Sequence, residues 1–570
     1  MAICIGSNIA LGGYNKIGYR INDELVSLYE PAYQDKDIAI FFEGKILNGE
    51  KDFSSGQSIA TLYRKLGKNF LNYLDGYYGI IIIDHINNSI FMCHDADGVE
   101  QIFYVITSQG ERQFIISNDV REIVKFQKPK VNEDMLSQYF LHGHIESSDT
   151  LFKGIKKLLL LETLENVGGR WLFERYQYDN LLKTDIANGI TVERSKSTLY
   201  TIMRDQTKSL LRNSINAGCL LSGGVDSSFV QCLLLENGFR NSYSGGYKPV
   251  GRENKYALQV AKILDTNHSC WDISADELLN AMRDGVQSCG MPFVYLGEAM
   301  QTYIFQKISS KKDGDRVIFG GEMGDSVMGL NLGIDSFFPR VCSQYTPKYI
   351  KNFITKYFMG KTNWNELQIL NDEQIEVILN KKTHIEQLCR VLKCFQERGL
   401  VSEQLYIANF GENVTMEEKI TRFRALCGEG MLRIVGTQYQ IAKDNNLFFA
   451  QPFCNHKLVE FLFSVPNEIR AKHCISKYLT KSLLSDHLPE KLVFRNKICN
   501  TVPFSNYFEN SENFNNIISE IKESKYSTYF VNLEKFVDDL IRESKSANVI
   551  NGDLIHLISF HMWYKQFIAN

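Results

Sequence analysis

Thirteen cysteines run from Cys4 to Cys499 without one C-x-x-C pair and without a Cys/His cluster at zinc-ligand spacing. That excludes a zinc-ribbon framework and the disulfide scaffold of small secreted domains, and a reducing, cytoplasmic setting is expected. No stretch approaches the roughly 20 apolar residues of a membrane span. The opening MAICIGSNIALGGYNK lacks both a basic leader and an apolar run of signal-peptide length, so no span and no targeting segment are expected. Lys and Arg number 63 against 66 Asp and Glu, which removes the basic surplus of a nucleic-acid binder. There is no internal repeat and no low-complexity tract. What is present is ordinary for a folded chain, 44% apolar and 23% charged residues. With 570 residues, the chain exceeds the roughly 250–300 that one core serves, so at least two domains are expected.

To about residue 185 the chain is rich in short β-branched and aromatic runs: IAIFFEGKIL (38–47), YGIIIIDHINNSIFMCHD (78–95), QIFYVI (101–106) and RQFIISND (112–119). HINNS and TSQGER between them carry hairpin-turn chemistry. A strand-rich domain with a helix over 58–73 is expected, followed by a linker at 178–195. From about 196 the period changes. RSKSTLYTIMRDQTKSLLRN repeats apolar residues three and four apart, as a helix does. Strands at 217–221, 242–247 and 316–321 alternate with helices at 225–238 and 255–268, the pattern of a doubly wound parallel sheet. Beyond 330 the sequence reads as helical to its end.

LLSGGVDSS (220–228) is the sharpest local signal. An apolar strand stops, Gly223 and Gly224 turn the backbone with no side chain in the way, and a helix begins at Val225. A helix N-terminus at a strand end presents unpaired amides and a partial positive charge, a place for an anion. Ser222 and Ser227 add hydroxyl donors, so the stretch reads as a phosphate cradle. The Walker loop is excluded, since that loop carries lysine where Asp226 stands. A carboxylate beside a phosphate cradle implies an intervening Mg²⁺. VIFGGEMGDSVMG (317–329) repeats the arrangement, with Glu322 and Asp325 three apart and expected on one side of a helical turn. The plain alternative for both stretches is a helix-start turn with dipole-favoured carboxylates.

LSGGVDSS resembles the pyrophosphate-binding loop of the asparagine synthetase superfamily, and GGEMGDSVMG is similar to its second signature. AQPFCNHKLVEF (450–461), SKYLTKSLLSDHLPEKLVFRNKICNTVPF (476–504) and KLGKNFLNYLDGYYGIIIIDHINNSIFMCHDADGVEQIFYV (65–105) resemble three further family stretches, in family order. The resemblance implies an α/β protein: an N-terminal Ntn-amidotransferase-like sandwich (1–185) and a C-terminal doubly wound ATP-pyrophosphatase domain with helical additions (196–570). It implies ATP and Mg²⁺, the acyl-adenylate chemistry of AMP-forming amide synthesis, and roles for particular residues. Ser222, Gly223, Gly224 and Ser227 would cradle the leaving pyrophosphate, with Mg²⁺ on Asp226 and Asp325. The backbones of Leu221, Gly320 and Gly321 would line the adenine and ribose. Lys497 would meet the α-phosphate, and Glu322 would take a proton from the incoming amine.

Three departures shape the functional expectation. Residue 2 is Ala where a glutaminase of this type needs cysteine, and Cys4 reads as a core residue, so the first domain is expected to release no ammonia. Cys454 and Asn455 replace Leu-Asp, and Ser326 replaces a glutamate. A lost glutaminase marks the branch of β-lactam synthetase and the lasso-peptide macrolactam synthetases. The first expectation is therefore a ligase that adenylates a carboxylate and closes a lactam or macrolactam with the substrate's own amine. Its substrate would be a small molecule or peptide bearing both groups, with a precursor peptide and its protease or recognition protein as implied partners. The second is an ammonia- or amine-dependent ligase acting on a small acid, which Glu322 favours. The insertion at 335–420 and the tail past 505 would shape a larger acceptor pocket.

Overall fold

The computed structural model describes residues 3–11, 19–21, 25–47, 55–107, 113–175 (except 146 and 161), 190–328 (except 249–251 and 313), 433–495 (except 466, 471, 473, 474 and 476) and 502–569. The insertion at 335–420 and Lys497 lie outside them. Within the described residues no helix is long and apolar enough to cross a membrane.

The amino-terminal part stacks two antiparallel sheets. One runs β10-β8-β9-β1-β3-β2, from Lys156–Lys157 (β10), Phe103–Ile106 (β8), Phe114–Ser117 (β9), Cys4–Ser7 (β1), Leu25–Ser27 (β3) and Tyr19–Arg20 (β2). The other runs β12-β11-β7-β6-β5-β4, from Arg170–Arg175 (β12), Glu162–Val167 (β11), Ser89–His94 (β7), Gly76–Asp84 (β6), Ile38–Ile46 (β5) and Tyr33–Gln34 (β4). Every residue of β6 is buried, which explains its unbroken apolar run in place of alternation. One face of that sheet packs Phe41, Ile81, Met92 and Leu164 against Ile5, Tyr104 and Ile116 of the first sheet. Its other face packs Ile40, Ile80 and Ile82 against Ile59 and Ala60 of α1 (Gly56–Leu66) and Phe70. The helix expected over 58–73 is therefore α1 followed by a 3₁₀ turn, Gly67–Tyr73. Further on lies α2 (Glu133–His142).

The carboxyl-terminal part is built on a parallel sheet ordered β15-β14-β13-β16-β17, from Asn267–Ile273, Asn241–Tyr247, Ala217–Leu220, Val317–Phe319 and Phe448–Ala450. Helix α3 (Val192–Leu211), capped by Thr191, precedes it and takes up the last residues of the expected linker. The chain then builds outward from β13 through α4 (Val225–Glu236) and α5 (Arg252–Ile263) to β15. It returns through α6 (Ala275–Cys289) and α7 (Leu296–Ser309) to the other side at β16. The direction of winding thus reverses between β13 and β16, where a doubly wound sheet opens a crevice.

Two sequence readings change here. The helix expected to 268 stops at Ile263, because Asp265 is left-handed (φ 52) and Asn267 already pairs with Asn241. The fifth strand, β17, lies in a stretch read as helical; three residues are too few to show a period. Before it in the chain lies α8 (433–444), and after it come α9 (His456–Ser464), α10 (Tyr478–Leu484) and, in the tail, α11 (Glu512–Lys522), α12 (Leu533–Ala547) and α13 (Gly552–Phe567).

The two parts share one core, in which Phe103, Tyr139 and Phe152 join Phe560 and Trp563 of α13. Polar contacts cross as well. Lys443 of α8 reaches Glu100 (2.8 Å) and Glu43 (3.7 Å), and the Tyr77 hydroxyl donates to the Gln451 carbonyl at 2.6 Å.

Candidate active site

Helix α4 has Gly224 as its N-cap, so no side-chain cap covers its first turn. Ser222 and Ser227 hold the loop in shape: their hydroxyls lie 3.0 Å apart, Ser222 N donates to Ser227 Oγ (3.2 Å) and Gly224 N to Ser222 Oγ (3.2 Å). Gly223 is left-handed (φ 70), and a Cβ there would sit 2.5 Å from the Tyr256 backbone, so this turn admits only glycine. Arg495 clamps it from outside, donating to the Gly223 carbonyl at 3.0 Å while lying 4.0 Å above the Tyr256 ring.

The second glycine stretch meets the first. A Cβ on Gly321 would fall 2.7 Å from Ser227 N, and one on Gly324 would fall 2.5 Å from the Asp226 carboxyl carbon. The two loops are in contact because these positions lack side chains. Glu322 and Asp325 do not share a helical turn as expected. Met323 between them is left-handed (φ 66), and the short helix starts only at Gly324. The two carboxylates therefore diverge. Asp325 turns to Asp226, and both are paired to the Lys477 ammonium, which is buried. Burial works against that ammonium, but the two aspartates outweigh it and hold Lys477 above the usual lysine range. Glu322 instead accepts from Gln301 Nε2 at 2.7 Å. Burial raises the Glu322 carboxyl above its ordinary range, the Gln301 bond opposes this, and Asp325 and Asp226 add to the rise.

A cleft of about 260 Å³ joins these groups. Leu221, Ser222, Gly224, Asp226, Ser227, Gly320, Gly321 and Glu322 all line it, as do Tyr247, Tyr295, Met300 and Gln301. Gly223 sits in the same loop. Of the sequence-predicted residues, Lys497 alone lies outside the described part of the chain. The donors suit a hard cation: two carboxylates converge on a point that already holds a positive charge, next to a helix N-terminus that carries no side-chain cap. Among the described residues no cluster of three or more His, Cys, Asp or Glu could bind a metal without such help.

Lys477 went unassigned in sequence although it is the second residue of SKYLTK, a stretch singled out for its likeness to the family. Its role depends on two aspartates some 150 and 250 positions away. Two of the substituted positions have structural roles. Asn455 caps α9, accepting from Lys457 N (2.9 Å) and Leu458 N (3.3 Å), a task in which Asn equals Asp. Cys454 is buried. Cys4 is fully buried in β1, and burial, then Glu122, pushes its thiol far above the usual range.

The cleft wall at Tyr295 is held by residues that no motif marks. In the segment before Tyr295, Trp563 Nε1 donates to the Gly290 carbonyl (3.0 Å), Arg433 to Pro292, Tyr139 to Phe293 (3.2 Å), and the His556 ring lies 3.0 Å from the Val294 carbonyl. Phe293 N donates to Ser559 Oγ (2.5 Å), and Glu298 accepts from Val294 N (2.7 Å) and Tyr295 N (3.3 Å). Tyr507 packs edge-on against Tyr247 (5.7 Å) and donates to the Ile273 carbonyl. The tail thus stands behind the pocket wall.

Comparison with known proteins agrees with this arrangement. Residues 198–565 match the family model described as asparagine synthase, and residues 33–176 that of a glutamine amidotransferase domain. Among curated relatives, the glutamine-hydrolyzing asparagine synthetase of Gallus gallus is 23% identical over 86% of this chain and 72% of its own length. Glutamine-hydrolyzing asparagine synthetase 3 of Bacillus subtilis is 20% identical over 94% and 88%. A putative asparagine synthetase of Methanocaldococcus jannaschii is 25% identical over 55% and 64%.

Proposed function

Because the chain belongs to the asparagine synthase family, we propose that it is an ATP-dependent, AMP- and pyrophosphate-forming amide ligase whose amine does not come from glutamine. The observation that carries this reading is the meeting of the two glycine loops in one cleft, with Asp226 and Asp325 converging on a single cation position and Glu322 beyond them. Residues 1–185 would then be a retained scaffold and 196–570 the synthetase domain.

In this reading the substrate carboxylate attacks the α-phosphate of ATP. The amides after Gly224, with Ser222 and Ser227, receive charge that builds on the departing diphosphate. Asp226 and Asp325 would hold magnesium, which supplies charge neutralisation on the phosphate oxygens. Lys477, already buried between the aspartates, has phosphate as an alternative partner. Lys497 would face the α-phosphate. Glu322, with its proton affinity raised by burial, accepts a proton from the attacking amine, and Gln301 holds it in place.

The buried, proton-retaining Cys4 supports an amine source other than glutamine. The first reading is therefore closure of a lactam or macrolactam by an amine of the substrate itself, with peptides as the substrate class. The second is an intermolecular ligase on a small acid, favoured by Glu322 and by the names of the relatives. Incubation with ATP, magnesium and a peptide carrying a terminal amine and a side-chain carboxylate tests both. Ring closure gives AMP and loss of one water; a product that has gained nitrogen from added ammonia supports the second reading. No AMP with either class of acid would overturn the proposal.

A further inference from the structure

Two adjacent glycines let the chain turn after β13, but they leave one choice open. The peptide plane joining Gly223 to Gly224 can present either its amide or its carbonyl oxygen to the cleft. A half-turn of that plane carries Gly224 from φ −79 to about +100, a value glycine adopts without strain. An amide there favours an anion, and a carbonyl oxygen repels it. In a trans peptide the C=O and the N–H point opposite ways. The Gly224 amide donates to Ser222 Oγ at 3.2 Å, and Ser222 and Gly224 both line the cleft. The Gly223 carbonyl therefore points away from them, where Arg495 Nη2 donates to it at 3.0 Å.

The arginine is itself held in place. Its guanidinium lies 4.0 Å from the centre of the ring of Tyr256, the residue whose backbone closes on Gly223. Helix α5 thus supplies both the floor of the turn and the platform for its clamp. The segment that delivers the arginine is anchored below. Val493, which ends a single helical turn (Glu490–Val493), is buried with Leu221, Val260 and Leu488 in a small separate core, and Phe494 packs against it.

We propose, on the reading of this cleft as a phosphate site, that Arg495 is a positioning residue. It fixes the Gly223–Gly224 peptide with the amide edge toward the cleft, so the turn is shaped for an anion before any ligand arrives. A planar guanidinium suits this task because it stacks and aims its donors, whereas a lysine ammonium supplies charge without either. A residue acting by charge alone would lose little on Arg495→Lys; one acting on the peptide would lose most of its effect.

The test uses the full chain, with magnesium pyrophosphate and adenosine as separate probes in titration calorimetry. Arg495→Ala should weaken pyrophosphate binding at least about tenfold and leave adenosine binding unchanged. Arg495→Lys should fall within about threefold of Arg495→Ala. Tyr256→Leu, which keeps the arginine and removes its platform, should give a smaller loss. Free guanidinium ion at millimolar concentration should restore pyrophosphate binding to Arg495→Ala, but not when Tyr256→Leu is added. If the unaltered protein binds no magnesium pyrophosphate, the phosphate-site reading falls and this role with it. If it binds and Arg495→Ala or Arg495→Lys binds equally well, only the role of Arg495 falls. Equal loss of pyrophosphate and adenosine affinity, which marks a general collapse of the cleft, or failure of guanidinium to rescue, would also overturn that role.

Discussion

The cleft has two ends, and they are assembled in opposite ways. At the proposed nucleotide end Ser222, Gly223, Gly224, Asp226 and Ser227 lie within six positions, and Gly320 to Asp325 lie within six more. At the other end, which the proposed function leaves for the acceptor, the wall at Tyr295 is held by Tyr139 from the amino-terminal part, Arg433 from α8, and His556, Ser559 and Trp563 from the tail. Chemistry common to a family can be carried by short loops at strand ends. On the proposed function, the shape that receives a particular acid and amine depends on the whole fold, including the amino-terminal part.

If that contrast is right, substitutions at the nucleotide end should stop the first half-reaction, and those beyond it should spare it. Asp226→Asn removes half of the cation site and is expected to lower ATP–pyrophosphate exchange by about 10²–10³-fold. Glu322→Gln should leave exchange near normal while slowing amide formation by roughly 10²-fold. Loss of exchange in both variants to the same degree would erase the division between the two ends.

That division also sets how much was legible in the sequence. The parallel sheet and its loops follow from strand, glycine pair and helix in immediate succession, a pattern local enough to read. The loop contact behind Gly321 and Gly324 could be suspected from repetition, but not its consequence: Met323 turns Glu322 toward Gln301 and Asp325 toward Lys477. β17 is too short to announce itself. Tyr507 and Ser559 act through residues more than 200 positions away, and their own neighbourhoods read as ordinary amphipathic or buried helix.

A smaller effect probes the acceptor wall directly. Ser559→Ala leaves the buried Phe293 N–H without its acceptor, at a cost of about 1–3 kcal/mol. Unfolding temperature should fall, and the KM for the acid should rise with little change in the KM for ATP. Equal increases in both constants would place the tail's influence on the whole sheet and not on Tyr295. Tyr507→Phe removes one hydrogen bond worth about 1 kcal/mol and keeps the ring against Tyr247. Its expected rise in acid KM is smaller still, and Tyr507→Ala should exceed it if ring packing is what matters.

The finest distinction is a displacement on the pH axis. Glu322 must be ionised to accept a proton from the amine, so amide formation falls as pH drops through its folded-state pKa. Burial has raised that value, which puts the acid limb above the ordinary carboxylate range. The Gln301 amide donates to the ionised form and pulls the value down. Gln301→Leu removes this and keeps the site apolar, so the acid limb should move to still higher pH while the plateau rate stays close to that of the unaltered protein. Exchange between ATP and pyrophosphate, which does not use Glu322 as a base, should keep its pH profile. A shift of both profiles together would show that Gln301 acts on the common cleft, and the two ends would then be one electrostatic unit.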